Sequence, residues 1–324
     1  MAHDGGPRQS TRPTLRVPTR LPTRDRSVTL KPQFIPIQSV ADSGGSSQGS
    51  PVTVTPLEVV QPFPPRPEIQ HVVFDFDGTL SIVREGWPVV MTALFEEVLP
   101  KTAGEPIEQM RQMIVDDIMR LNGKQTIYQM MQLADRITER GGQPREPLWY
   151  KHEYLRRLDE RIQHRLDGLR EGTIRPDELL VYDARKLLEL LTQRGVTLHL
   201  ASGTDEQFVK REAELLDVSR YFQGRIYGAV DNYQSFSKKM VIDRILKENA
   251  IDGKNLLAFG DGYVEIQNTK EVGGLAIAVA SDEAHNGSGR VDEWKRTRLI
   301  GVGADVVIPD YRQADELLKL IFGN

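Results

Sequence analysis

The sequence predicts an α/β protein: a doubly wound parallel sheet, with an all-helical insert breaking the chain after the first strand. Three observations predict it. From residue 196 onward, short runs rich in β-formers alternate with helix-length amphipathic stretches, the pattern of successive βαβ units. A run of the same kind, HVVFDFDG, stands apart at 71–78. Between these two regions the chain carries almost no β signal and several stretches of helical periodicity.

Taken in order, residues 1–68 read as a loosely attached tail. TRPTLRVPTRLPTR is basic, ADSGGSSQGSP has a flexible-linker composition, and QPFPPRP favours extended polyproline geometry. Arg8, Arg12, Arg16, Arg20, Arg24 and Arg26 would form a partner- or polyanion-binding arm if the tail were functional. A solvated tail is the preferred reading, because such a composition buries too little surface to order itself.

HVVFDFDG is a short apolar strand closed by a turn signal. The insert follows. AGEPIEQMRQMIVDDIMRLNG, TIYQMMQLADRITERGG and EPLWYKHEYLRRLDERIQHRLDGLREG each place apolar residues at helical spacing. In the last, Leu155, Leu158, Ile162, Leu166 and Leu169 form one stripe, read as packing within the insert. Met110, Met113, Met119, Met130 and Met131 also fall here and are read chiefly as helix core.

Then come a helix in LLVYDARKLLELLTQRG, the strand VTLHLASGT, and the helix EQFVKREAELLD. GRIYGAV, NLLAFGDG, LAIAVASD and ADVVIPD read as strands. SKKMVIDRILKENA, VEIQNTKEVGG and YRQADELLKLIF read as helices. The expected division is a Rossmann-like core at 69–84 and 176–324, with a helical cap at 85–175.

Composition narrows the chemistry. The 324 residues are 39 % apolar and 27 % charged, with a formal net charge of −4 and no cysteine. Thiol nucleophiles and thiolate metal sites are therefore excluded. The charge gives no reason to expect nucleic acid or an anionic membrane. No apolar run reaches the ~18 residues of a membrane span, and the first residues lack the apolar core of a secretory signal. A cytoplasmic enzyme is the expectation. The six histidines show no metal-ligand spacing, and His199 reads as a packing or hydrogen-bonding residue.

Four segments carry chemistry, each at the end of a strand or the start of a helix. Asp75 and Asp77 in DFDGT point initially to the same side of their strand. Such a carboxylate pair needs a cation or a shared proton to offset its repulsion. In open α/β sheets, ligands bind outside the strand carboxyl ends. Ser202 and Gly203 in ASGT combine a hydroxyl and main-chain N–H groups near a helix start, a natural phosphate cradle. N-capping by Thr204 or Asp205 is the competing reading there.

Lys238 and Lys239 open a helix, the wrong end of its dipole for a cation. Lys238 shares the apolar face of Val241 and Ile242, whereas Lys239 is turned to solvent. In FGDGYVE, Asp261 lies in the turn after a strand and Glu265 in the first turn of a helix. For Glu265 the helix dipole is explanation enough. Oxygen ligands without Cys or clustered His point to Mg²⁺ as cofactor.

The set DFDGT, ASGT, Lys238 and GDGYVE, in this order over about residues 71–322, resembles the haloacid dehalogenase superfamily. The resemblance implies that Asp75 attacks phosphorus to form an aspartyl-phosphate and that Asp77 acts as acid, then base. It implies that Ser202, Gly203 and Lys238 bind the phosphoryl group. It implies Mg²⁺ held by Asp75, the Asp77 main-chain carbonyl and Asp261. Many members have Asp where this chain has Glu265, so the resemblance leaves open whether Glu265 meets the metal directly or through water. The insert resembles the family's cap, with Trp87, Trp149 and Tyr150 as candidate mouth residues. The expected partner is a small phosphorylated metabolite, a sugar phosphate or phosphoglycolate-like molecule. The expected reaction is phosphomonoester hydrolysis; alternatives are a phosphomutase on the same scaffold and, more remotely, a non-catalytic binding module.

Overall fold

Flanking strands cover the run His71–Phe74 on both sides, and it lies in the interior of the sheet. The computed structural model describes residues 56–323, which lie within one compact unit, Ser46–Asn324. Residues 1–55 of the expected tail at 1–68 lie outside the described residues.

Among the described residues the sheet has seven strands: β1 (Glu58–Val59), β2 (His71–Phe74), β3 (Thr197–Asp205), β4 (Ile226–Ala229), β5 (Leu256–Gly260), β6 (Leu275–Val279) and β7 (Val306–Ile308). Their order is β1-β7-β6-β5-β2-β3-β4. Every neighbouring pair is parallel except β1 on β7. A parallel sheet of this kind needs both faces covered. Alternation along β2 provides for that. Val72 and Phe74 join a cluster with Leu187, Leu191 and Leu317, while Val73 packs with Val241, Ile242 and Ile245.

Four helices fill the expected insert after β2: α1 (Trp87–Val98), α2 (Ile107–Arg120), α3 (Thr126–Glu139) and α4 (Pro147–Glu171). The apolar stripe of α4, Leu155 to Leu169, is buried as the periodicity requires. The remaining helices are α5 (Ala184–Gln193), α6 (Glu206–Leu215), α7 (Ser219–Phe222), α8 (Lys238–Asn249), α9 (Tyr263–Glu271), α10 (Glu293–Gly301) and α11 (Ala314–Phe322). No helix among the described residues is long and apolar enough to cross a membrane.

The structure corrects the reading of residues 56–68 as tail. Glu58 and Val59 pair antiparallel with the edge of β7. The amides of Val60 and Gln61 both donate to the Asp305 carbonyl at 2.8 and 3.2 Å, and that of Arg66 to the Ile321 carbonyl at 2.6 Å. An open sheet edge offers unpaired main-chain groups to any strand that can reach them, and this pairing does not depend on an apolar composition. The stretch LLVY is also outside α5; Leu180 bridges Ser81 instead.

Candidate active site

Strands β2, β3 and β5 run parallel, so the segments that follow them open at one edge of the sheet. The chain leaves β2 between neighbours that extend to opposite sides, the crevice where ligands bind in this architecture. Asp75 follows β2, Ser202 to Thr204 lie near the carboxyl end of β3, and Asp261 follows β5. Gly78 makes their convergence possible. It has φ +71°, and a Cβ there would lie 2.2 Å from Asp261 Oδ2.

The convergence produces a buried carboxylate group. Asp75, Asp261 and Glu265 each place one oxygen within 4.8 Å of the others. Lys238 Nζ bridges two of them, 2.8 Å from both Asp75 Oδ2 and Glu265 Oε2. Glu265 Oε1 accepts the Gly262 amide at 2.7 Å, so this side chain also caps its own helix. Lys295 Nζ lies 3.0 Å from Asp261 Oδ2 and 2.6 Å from Glu283 Oε1.

Burial drives Asp75 well above the usual carboxylate range; Lys238 opposes that, and the charges of Glu265 and Asp261 add to it. A hard cation relieves such a cluster. The donor set is all oxygen, as Mg²⁺ or Ca²⁺ requires. The ligand oxygens around Mg²⁺ lie up to ~4.2 Å apart for bonds of ~2.1 Å, so a small contraction would enclose the ion. Asp75, Asp261, Glu265 and Glu283 against Lys238 and Lys295 also leave a formal charge of −2, the complement of one divalent cation.

Asp77 has a different environment. Its Oδ2 accepts from Thr204 Oγ1 at 2.8 Å and from Ser202 Oγ at 3.5 Å. Its Oδ1 has no hydrogen-bond partner, with Arg84 Nε at 3.8 Å. Burial raises this carboxyl to about 6, against the opposing influence of Arg84. Arg84 is itself fixed by a fork to Glu212, at 2.9 and 2.6 Å. Two aspartates two residues apart thus have distinct settings: one among cations and carboxylates, one beside hydroxyls.

Above them lies a cavity of about 70 Å³, lined from the core by Asp75, Asp77, Ser202 and Lys238 and from the insert by Trp87, Met91, Tyr154 and Leu155. Ligand pockets for larger molecules run to ~300–1,000 Å³, so this one has room for little more than a phosphate-sized group. Several contacts seat the insert. Lys151 of α4 reaches Asp205 Oδ2 at 2.8 Å and Asp231 Oδ1 at 3.1 Å. Gln125 Nε2 donates to the Tyr233 and Phe236 carbonyls. Arg298 of α10 donates to the carbonyls of Met119, Arg120 and Asn122 at the end of α2. The 122–125 loop comes so close that a Cβ on Gly203 would sit 2.7 Å from the Lys124 carbonyl oxygen.

Of the residues picked out in the sequence, Asp75, Asp77, Ser202, Gly203, Lys238 and Asp261 meet at this site. Lys239 is exposed, near Asp243 and Glu271. Glu265 joins the carboxylate group, where the sequence had left its place open. Trp87 lines the cavity; Trp149 instead packs under Arg145 and against Tyr150. Four participants went unread: Arg84, Glu212, Glu283 and Lys295. Glu212 left a signal, since it takes a place on the buried face of α6 beside Val209 and Ala213.

Comparison with known proteins agrees with this geometry. The model of the haloacid dehalogenase-like hydrolase family matches residues 69–273. No curated protein sequence matches the chain. Among solved structures, a predicted phosphoglycolate phosphatase from Haemophilus somnus is similar at 16 % identity and a TM-score of 0.51, over 77 % of this chain and 97 % of that one. A predicted phosphatase from Clostridium acetobutylicum is similar at 16 % identity and 0.52, over 78 % and 99 %. The β-phosphoglucomutase of Clostridium difficile is similar at 12 % identity and 0.52, over 78 % and 96 %. At these identities the three share the fold. The family match spans well over half of the sequence, and with the acidic cluster at the strand ends it settles the relationship: this chain belongs to the haloacid dehalogenase-like hydrolases.

Proposed function

We propose that this protein is a Mg²⁺-dependent phosphatase that hydrolyses a small phosphomonoester, a sugar phosphate or phosphoglycolate-like molecule. The observation that carries the reading is the divergence of the two aspartates. Asp75 lies among the groups that would neutralise a phosphoryl oxygen, while Asp77 stands beside Thr204 with one oxygen unpartnered.

In this scheme an oxygen of Asp75 attacks phosphorus, and the bond to the leaving oxygen breaks as Asp77 gives that oxygen its proton. Asp77, now ionised, takes a proton from water as the water attacks the aspartyl-phosphate. Inorganic phosphate leaves and Asp75 is restored. A carboxyl raised to about 6 suits both roles near neutrality. Splitting one difficult displacement into two is the gain of the covalent route. Lys238, the Ser202 hydroxyl and the Gly203 amide hold the phosphoryl oxygens, a charge-stabilising role. Mg²⁺, held by Asp75, the Asp77 main-chain carbonyl and Asp261 with Glu265 adjacent, would stabilise charge on the phosphoryl group when bound.

The size of the cavity supports a small substrate and a cap, residues 85–175, that moves to admit it. A phosphate-release screen over small phosphomonoesters, run with Mg²⁺ and with EDTA, tests the proposal. We expect Mg²⁺-dependent release that disappears in Asp75→Asn while the protein stays folded. Mg²⁺-independent turnover retained in that variant would sink the scheme. With a hexose 1-phosphate, isomerised product in place of inorganic phosphate would identify a mutase.

A further inference from the structure

Lys295 belongs to none of the four segments that carry the proposed chemistry, yet it is buried among them. It projects from α10, and its ammonium reaches three oxygens: Glu283 Oε1 at 2.6 Å, Asp261 Oδ2 at 3.0 Å and Ser281 Oγ at 3.1 Å. Ser281 Oγ in turn donates to the Gly78 carbonyl at 2.5 Å, in the turn that follows Asp77. One side chain thereby ties together the loops after β2, β5 and β6.

The other side of the Asp261 carboxylate is guided by Thr79. Thr79 Oγ1 lies 3.5 Å from Asp261 Oδ1 and accepts the Asp261 amide at 2.9 Å. Asp261 is therefore held at Oδ2 by Lys295 and braced by Thr79 at its amide and, through a long hydrogen bond, at Oδ1, which keeps a further lone pair of Oδ1 for a cation. A buried ammonium costs several kcal/mol in desolvation. Cancelling the charge of Glu283 would need only an ion pair between those two. The reach on to Asp261 is what a role in the site requires.

We propose that Lys295 is a positioning residue for divalent-cation binding, orienting Asp261 through Oδ2 while it neutralises Glu283. The inference rests on the reading of Asp75, Asp261 and Glu265 as a cation site. Removing Lys295 alone changes charge and orientation together. The double variant Lys295→Met with Glu283→Gln separates them, because it restores the formal charge of the cluster and removes Glu283 as an unpaired buried carboxylate.

The test is Mn²⁺ binding, followed by calorimetry and by the electron paramagnetic resonance of free Mn²⁺, on folded wild-type protein, Asp261→Asn, Lys295→Met, Lys295→Arg and the double variant. We expect one Mn²⁺ per wild-type chain and its loss in Asp261→Asn. We expect affinity at least tenfold weaker in both Lys295→Met and the double variant, with recovery to within about threefold in Lys295→Arg. Should Lys295→Met not fold, the double variant carries the test. Wild-type affinity in the double variant would reduce Lys295 to charge balance and overturn the inference. Tighter binding in Lys295→Met, or no recovery in Lys295→Arg, would overturn it too. If wild-type protein bound no divalent ion, or if Asp261→Asn bound as tightly as wild type, the cation site would fail and this inference with it.

Discussion

Thr204 Oγ1 donates to Asp77 Oδ2 at 2.8 Å, and this bond keeps the Asp77 carboxylate beside the end of β3 and apart from the group formed by Asp75, Asp261 and Glu265. Its position follows from how β3 ends. Asp205 takes the N-cap of α6 without a side-chain cap bond and pairs with Lys151, so Thr204 is free to face Asp77. A hydrogen bond to a charged group contributes ~1.5–3 kcal/mol. Thr204→Val should therefore lower kcat by about tenfold to a hundredfold, with KM within a factor of about three, while Thr204→Ser keeps most of the rate. Steady-state kinetics of the two variants check this. A Thr204→Val enzyme as fast as wild type would mean that Asp77 needs no such support.

Gly203 was read as part of a phosphate cradle, and the structure gives it a second constraint. Its neighbour is the Lys124 carbonyl, a backbone atom that cannot rotate out of the way of a Cβ. Gly203→Ala should unseat the 122–125 loop, lower kcat/KM by at least tenfold, and speed trypsin cleavage after the exposed Lys124. Unchanged cleavage and unchanged kinetics would show that the loop has slack to absorb a methyl group.

Arg84 and Glu212 form a buried ion pair joining the loop after β2 to α6, with Glu212 fully inaccessible. Removing one partner of such a pair costs ~3–5 kcal/mol where the other charge is left buried and unpaired, and the lower end applies here because Arg211 Nη2 stays 3.3 Å from Glu212 Oε1. Arg84→Met should lose about that much in urea denaturation. Arg84→Met with Glu212→Leu should recover more than half of the loss, whatever becomes of activity. A single variant with wild-type stability would show that Arg211 alone suffices to neutralise Glu212.

How much of this was legible in the sequence depended on what each residue shares with its neighbours. Asp75, Asp77 and Asp261 stand directly after apolar runs, and the strand pattern that predicts the sheet also predicts which edge they occupy. Lys238 was separable from Lys239 because helical spacing puts it on the face of Val241 and Ile242, and both of those residues are buried. Lys295 had no such pattern. In α10 only Lys295 and Leu299 are buried, so no apolar stripe announces the helix. Strand β1 has two residues and exists through main-chain pairing with β7, which composition does not record. Glu212 shows where more could have been read. A charged residue on an apolar helix face implies a buried partner, and here that partner is 128 positions away.

The histidine pair on β2 and β3 predicts how stability varies with pH. His71 Nδ1 and His199 Nε2 are 3.1 Å apart, His199 stacks on Tyr227, and His199 Nδ1 has no partner. Burial first, then the nearby charges of His71 and Arg225, lower His199 to about 3; burial lowers His71 as well. The unfolded imidazole titrates near ~6.5. Below that pH the unfolded chain binds a proton that folded His199 refuses until about pH 3. Its contribution to stability is therefore complete above 6.5 and is lost as the pH falls toward 3. At pH 5 the loss is about 2 kcal/mol from His199 alone, with His71 adding in the same direction. His199→Gln keeps an amide donor toward His71 and does not titrate. Urea denaturation of both proteins at pH 7.5 and pH 5 should show wild type losing about 2 kcal/mol more than the variant. Equal losses would place the acid sensitivity elsewhere, in the paired carboxylates instead of this pair of rings.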